Sequence, residues 1–350
     1  MSPVPAHSHR IGRLLAVVVA LGLAVSGCAT FGNRDGGAVT VSATAGSIPG
    51  LPPIVAKETG IFARYGINAT LITSLRGGAA VISALSSGSV DVAAQTVSGS
   101  AQAKQQGASL PMISAQSAGV PYLLVVGGKR AGTPKASPGA DNWQATIRAL
   151  KGATVAASGP GTAFDVILKA LFTDAGLAPT DFANVNVAHG GGEIAALQSG
   201  QVDAVFADIG TALSLQAKAG GHEVFDMTAD GPQWLTEQAW SGNLSSQRYL
   251  DSHPDFAVRW EAAMDETRRY FQDPANLPEL HRIAVQVSGI PDDSQLDAAL
   301  TRFAALLRAR FTPAQVQATI DYMTRTGQLD AKTKLVPADL VLPNVLTIDK

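Results

Sequence analysis

Apolar and polar positions follow a recurring order along this chain: a short apolar strand, a glycine-bearing turn, then a helix of small apolar residues. Val39-Thr40-Val41-Ser42-Ala43 alternates with the period of two that marks a strand. Pro52-Pro53 predicts the start of a helix through Thr59, because proline is tolerated in a first turn. Further strands are predicted at 67–72, 90–94 and 110–114, with helices after Arg76-Gly77-Gly78 and from the polar stretch 95–99 to Gln106. A second series places strands at 121–126, 185–188 and 204–207 and a turn and strand at 150–156, with a helix from Ser158-Gly159-Pro160-Gly161-Thr162 to Asp174. Amphipathic helices at 246–272 and 294–310, and one starting at Pro313, are expected to buttress the first series, and 335–350 reads as an extended tail.

A phrase within this pattern occurs twice. Leu85-Ser86-Ser87-Gly88-Ser89-Val90-Asp91 returns as Leu197-Gln198-Ser199-Gly200-Gln201-Val202-Asp203. Gly88 and Gly200 fall where a helix must stop, and glycine takes the left-handed conformation there without a side-chain clash. Each aspartate then opens a strand, and its carboxylate is expected to bond backbone N–H groups near the turn. Two copies of one helix–glycine–strand unit imply an α/β protein of two similar lobes, each a mainly parallel sheet flanked by helices, joined by a two-segment hinge. Lobe one is expected from 38–120 plus 235–350 and lobe two from 121–234. The second crossover is expected at Trp240-Ser241-Gly242-Asn243-Leu244. Ligands of such sheets bind outside the carboxyl ends of the strands, which selects the loops 45–50, 74–78 and 95–99 in the first lobe.

The first residues add a location. His7, His9, Arg10 and Arg13 precede an apolar run, 14–25, too short to span a bilayer. Small residues and the only cysteine follow, in Val25-Ser26-Gly27-Cys28. This predicts a secretory signal over 1–27, ending in a sequence that resembles a lipobox, with Cys28 lipidated and 28–37 a tether. An ordinary signal peptide with an incidental cysteine is the alternative. Of the 350 residues, 46% are hydrophobic, which excludes extensive disorder, and a net charge of −2 argues against nucleic-acid binding. With Cys28 as an anchor, no disulfide is available to the mature chain.

The candidate chemistry is recognition. The 158–162 loop aims N–H groups and a positive helix end at the cleft, which suits an oxyanion; Thr162 fits equally the N-cap of that helix. Asp208 fits a partner for a ligand N–H or ammonium group, or a solvated strand end. Trp240 fits either a stacking surface for ligand or a packed hinge aromatic. His189, His222, His253 and His281 are dispersed, no pair has metal-ligand spacing, and there is no Gly-x-Ser-x-Gly elbow.

Four stretches, in order, resemble the ligand-binding proteins of ABC importers, of the branch handling sulfonates, nitrate, taurine and thiamine-pyrimidine precursors. They are 52–67, ending in Gly60-Ile61-Phe62-Ala63-Arg64-Tyr65-Gly66-Ile67; the repeated Gly-x-Val-Asp phrase; Leu150-Lys151-Gly152-Ala153-Thr154-Val155; and His253-Pro254-Asp255. The resemblance covers most of 39–290 and implies the type II periplasmic-binding-protein fold. It implies ligand contacts at Gly46, Ser47, Gln95, Thr96, Val97, Ser158, Gly161 and Thr162, with Phe164 behind them and Asp208 where the family often has Glu-Pro; Trp240 joins these candidates on its own chemistry. It further implies a small, anionic organic solute, an ABC permease as partner, a monomer held to the membrane through Cys28, and no cofactor, metal or nucleic acid. Two alternatives stay open: a sensor lipoprotein feeding a signalling partner, and an enzyme like thiamine-pyrimidine synthase on the same fold, for which no lysine or histidine donor can be placed.

Overall fold

The computed structural model describes residues 38–75, 78–139, 142–188 and 190–347. The expected leader, Cys28 and tether lie outside them, as do Arg76, Gly77 and His189. Two five-stranded sheets form the frame. Sheet one holds β1 (Val39–Ser42), β2 (Ala69–Ile72), β3 (Val92–Thr96), β4 (Met112–Ala118) and β10 (Ala239–Ser245), in the order β2-β1-β3-β10-β4. Sheet two holds β5 (Tyr122–Val126), β6 (Thr154–Ala156), β7 (Ala183–Val185), β8 (Ala204–Asp208) and β9 (His222–Asp226), in the order β7-β6-β8-β5-β9. The two orders are the same wiring. β1, β2 and β3 are parallel, as are β6, β7 and β8; β10 and β5 run antiparallel to both of their neighbours. The two-lobed α/β architecture is therefore as expected.

Helices follow the parallel strands in matching places. In lobe one these are α1 (Leu51–Glu58), α2 (Gly78–Ser87) and α3 (Val97–Gln105); in lobe two, α4 (Ala163–Asp174), α5 (Gly191–Ser199) and α6 (Ile209–Ala219). α4 shows why such segments are helical. Thr162 caps it, and Ile167, Leu168, Leu171 and Phe172 repeat at helical spacing and are buried. Leu171 is wholly buried, so truncation to alanine costs about 2–5 kcal/mol.

The repeated phrase does the same work in both lobes. Gly88 (φ 77°) and Gly200 (φ 70°) take the left-handed conformation. The Asp91 carboxylate accepts from the Thr40 N–H at 2.8 Å, and its own N–H donates to the Thr40 carbonyl at 2.9 Å. Asp203 repeats both bonds on Thr154, at 2.9 and 2.8 Å. Each carboxylate bonds a backbone N–H group, as the sequence leads one to expect, but on a neighbouring strand and not in the local turn. They reach the start of the adjacent strand and set its register.

The hinge also differs from expectation. Residues 240–244 are not a crossover but part of β10, inside sheet one. The polar side chains of β10 read as loop, yet each bonds a neighbour through its oxygen: Ser241 Oγ lies 2.8 Å from Ser117 Oγ, Ser114 Oγ donates to Asn243 Oδ1 at 2.8 Å, and Ser245 Oγ donates to the Asp91 carbonyl at 2.8 Å, while Asn243 Nδ2 is buried without a partner among the described residues. The chain crosses between sheets at 119–121 and 227–238, and the Gly119 N–H donates to the Gln238 carbonyl at 2.8 Å, tying one crossover to the other.

The C-terminal helices α7 (Phe256–Gln272), α8 (Leu296–Leu306) and α9 (Pro313–Arg325) back sheet one as expected, but two of them also reach lobe two. Arg302 on α8 donates to Glu223 at 2.8 Å and to Asp226 at 2.7 Å, and Arg325 on α9 donates to Asp174 at 2.8 Å. The tail is not wholly extended: Pro337–Leu340 is helical, and Val341 bridges Met112.

Candidate functional site

The carboxyl edges of the two sheets adjoin at the crossovers. β4 ends at Ala118 and β5 begins at Tyr122, paired with Asp208 at the end of β8. Ile48, in the turn after β1, lies against the start of α6, where a Cβ built on Gly210 would be 3.1 Å from Ile48 Cδ1. The 45–50 loop thus meets the start of α6 beside the two carboxyl edges.

On the lobe-one side, Gln95 and Thr96 end β3 and are half-buried. Thr96 Oγ1 caps α3 by accepting from the Gly99 N–H at 3.1 Å and lies 2.9 Å from Ser98 Oγ. Gln95 Oε1 accepts from the Thr96 N–H at 2.8 Å, while its amide reaches toward Gly78 at the start of α2. Ser47 is half-buried, and its hydroxyl bonds none of the described residues. Two expectations change here. Val97 is wholly buried in the core, because it is the first inward-facing residue of α3, and it lines no cleft. The Gly46 N–H is already used: it donates to the Ser288 carbonyl at 2.7 Å.

On the lobe-two side the 158–162 loop is held from within. Ser158 is left-handed (φ 57°), a conformation that costs a non-glycine residue about 1 kcal/mol or more, so the surroundings must enforce it. They do. Asn184 Nδ2 donates to the Gly159 carbonyl at 2.9 Å, and Thr162 Oγ1 donates to the same oxygen at 2.9 Å. The Gly161 N–H, expected to face an oxyanion, donates instead to Asp165 Oδ2 at 2.8 Å. Asp165 is 1% exposed and also accepts from Lys169 and Asn184. Burial pushes its carboxyl up, but the Lys169, Asn184 and Gly161 donors outweigh that and hold it below the usual carboxylate range. Thr162 is the N-cap of α4, accepting from the Asp165 N–H at 3.3 Å.

Asp208 is likewise a cap. Its Oδ1 accepts from the Gly210 and Thr211 N–H groups at 2.9 and 3.2 Å, and its Oδ2 from Thr211 Oγ1 at 2.9 Å. Glu193 closes the start of α5 by accepting from the Gly190 N–H at 2.9 Å. Trp240 is 8% exposed within the core, the packed-aromatic alternative. Phe164 stays half-buried, its ring 4.5 Å from Tyr122 and 4.9 Å from Phe206. Ser158 is half-buried, and its hydroxyl bonds none of the described residues. The junction therefore keeps Ser47, Gln95, Thr96, Ser158 and Phe164, and loses Val97 and Trp240 to the core.

Residues 46–212 match the NMT1-like family. That segment begins in the first of the loops at the junction and ends in the first turn of α6. No curated protein matches the chain in sequence. The solved structures similar to it share the periplasmic-binding-protein fold. One is the alkanesulfonate-binding protein of Xanthomonas axonopodis pv. citri, bound to MOPS: 18% identical, covering 87% of this chain and 97% of that one, TM-score 0.63. The periplasmic nitrate-binding protein of Synechocystis PCC 6803 is 15% identical over 88% of this chain and 86% of its own, TM-score 0.66. A Candida albicans protein with the generic periplasmic-binding-protein fold is 13% identical over 89% and 98%, TM-score 0.62.

Sequence reasoning passed over two residues. In the sequence pattern Tyr122 is only part of the 121–126 strand into lobe two; its place directly after Gly119-Val120-Pro121 is the available signal. Asp165 was read only as part of a helix opening, although an acid three residues after a threonine cap marks an occupied helix start. Among the described residues there is no cluster of three or more His, Cys, Asp or Glu fit to hold a metal, and no helix long and apolar enough to cross a membrane. A hollow of about 250 Å³ lined by Gly127, Lys129, Ser199, Gly200 and Asp203 lies at the opposite, amino edge of sheet two.

Proposed function

We propose that this chain is the solute-binding component of an ABC-type importer, anchored through Cys28 on the extracytoplasmic face of the membrane. It captures a small organic anion at the junction of its two sheets and passes it, unchanged, to a membrane permease. The observation that carries this reading is the meeting of two like-wired carboxyl edges across a double crossover, bordered by Ser47, Gln95, Thr96, Ser158 and Phe164. Rigid loops at such an edge bind and orient; none of the side chains gathered there forms a nucleophile–base pair.

The acid group of the solute is assigned to lobe one. The first turns of α1, α2 and α3 carry no acidic residue, and the hydroxyls of Thr96 and Ser98 stand at the start of α3. Lobe two is the poorer host for an anion, because Asp165, Glu193 and Asp208 already occupy the starts of α4, α5 and α6.

A thermal-shift panel of the purified chain with methanesulfonate, benzenesulfonate, taurine and nitrate tests the reading. A ligand present at one hundred times its dissociation constant adds about 2.7 kcal/mol of stability. At least one sulfonate is expected to stabilise the chain and to be recovered intact by mass spectrometry. Absence of any stabilising ligand, or turnover of one, contradicts the proposal.

A further inference from the structure

A phenol whose ring packs in the fold presents its hydroxyl at the junction. Tyr122 is the first residue of β5, half-buried, and its hydroxyl bonds none of the described residues. The hydroxyl is not among the buried unpartnered atoms, so it opens to solvent at the junction, where a phenol is free to donate to an acceptor on a ligand. Its ring is held on two sides, 4.5 Å from Phe164 and 5.3 Å from Phe206, which fixes its orientation at little further entropic cost. Its strand partner is Asp208, so it lies at the carboxyl edge, four residues beyond the end of β4 in sheet one.

We propose that Tyr122 is a specificity-determining residue of the solute site: with Phe164 it forms the lobe-two wall that receives the uncharged, planar part of the solute, and its O–H donates to an acceptor there. This rests on the junction being the solute site, and it assigns the two ends of the solute to different lobes. The acid group faces the neutral helix starts of lobe one; the ring faces an aromatic wall among the carboxylates of lobe two. Burial pushes the Tyr122 phenol up, and the nearby carboxylates of Asp208 and Glu193 push it further, so it remains a protonated donor at neutral pH.

Calorimetric titration of the full chain with three probes of one head group tests this: methanesulfonate, benzenesulfonate and 4-acetylbenzenesulfonate. Tyr122→Ala is expected to weaken benzenesulfonate at least tenfold and methanesulfonate less than twofold. Tyr122→Phe keeps the ring and is expected to leave benzenesulfonate unchanged while weakening the acetyl probe three- to tenfold, with thermal unfolding as in the parent. Should Tyr122→Ala fail to fold, the Phe variant with the acetyl probe decides alone. Equal losses for all three probes, or none, overturn the role of Tyr122 and leave the solute site standing. If no probe binds the parent chain, the site and the role fall together.

Discussion

The two lobes share one wiring and differ in charge where it matters. Thr96 ends β3 and caps α3; Asp208 ends β8 and caps α6 in the same way. The caps are geometrically equivalent, but one is neutral and the other anionic. The contrast extends along the edge: α1, α2 and α3 begin without acids, whereas the starts of α4, α5 and α6 hold Asp165, Glu193 and Asp208. A helix start is attractive to an anion only while its N–H groups and dipole are uncompensated. A repeated fold can therefore present an anion-accepting edge and an anion-refusing edge across one cleft, by substituting caps and first-turn residues alone.

The sharpest break of this comparison is at Asp165, which lobe one does not reproduce. Asp165→Ala strands three donors at a 1%-exposed site and is expected to cost about 3 kcal/mol in urea denaturation, at the low end for a broken buried pair because Lys169 stays solvated. A loss below about 1 kcal/mol would show that the loop does not depend on its internal anion.

The shared wiring is tested next, at the two clamps. Asp91→Ala and Asp203→Ala are each expected to cost about 1–3 kcal/mol by the same measurement, Asp91 the more because it is the deeper. A cost at only one of them would break the equivalence of the lobes.

Acid distinguishes the lobes without mutation. Burial pushes the Glu223 and Asp293 carboxyls up, but Arg302 and Lys218 outweigh it and hold both below the usual range, as Lys169 does for Asp165. A depressed carboxyl contributes stability that is present above its unfolded value, near 4, and lost as pH falls through its folded value. These groups lie in lobe two or join it to the C-terminal helices. Hydrogen exchange from pH 6 down to 3 is therefore expected to show β6, β8 and β9 losing protection below about pH 4, before β1 and β3. Simultaneous loss would contradict the assignment.

The smallest effect is the exchange of caps. Asp208→Asn keeps an acceptor for the Gly210 and Thr211 N–H groups and is expected to change stability by about 0.5 kcal/mol or less. The same variant, with one charge fewer, is expected to bind methanesulfonate about threefold more tightly in calorimetry, and Thr96→Asp more weakly. Weaker binding by Asp208→Asn would place the acid group in lobe two.

Much of the frame was legible because it rests on local signals. The Pro52-Pro53 start of α1, the left-handed Gly88 and Gly200, and the end of α4 at Asp174 all fall where the pattern places them. What the pattern missed depends on partners distant in sequence. β10 carries Ser241, Asn243 and Ser245, which look like loop until Ser117, Ser114 and the Asp91 carbonyl bond their oxygens. β9, short and half polar, was not anticipated, since Glu223 and Asp226 are made tolerable by Arg302 from α8. The site shows the same division. Its loops were legible from strand ends, but the use of the Gly46 and Gly161 N–H groups was not, because Ser288 and Asp165 take them only in the folded chain.

The central claim, one solute held by both lobes, is met most directly by hydrogen exchange of the purified chain with and without saturating benzenesulfonate. The account predicts slowed exchange in both 95–99 and 158–164, together with the start of β5 at Tyr122. Protection confined to one lobe, or arising away from these segments, would contradict it.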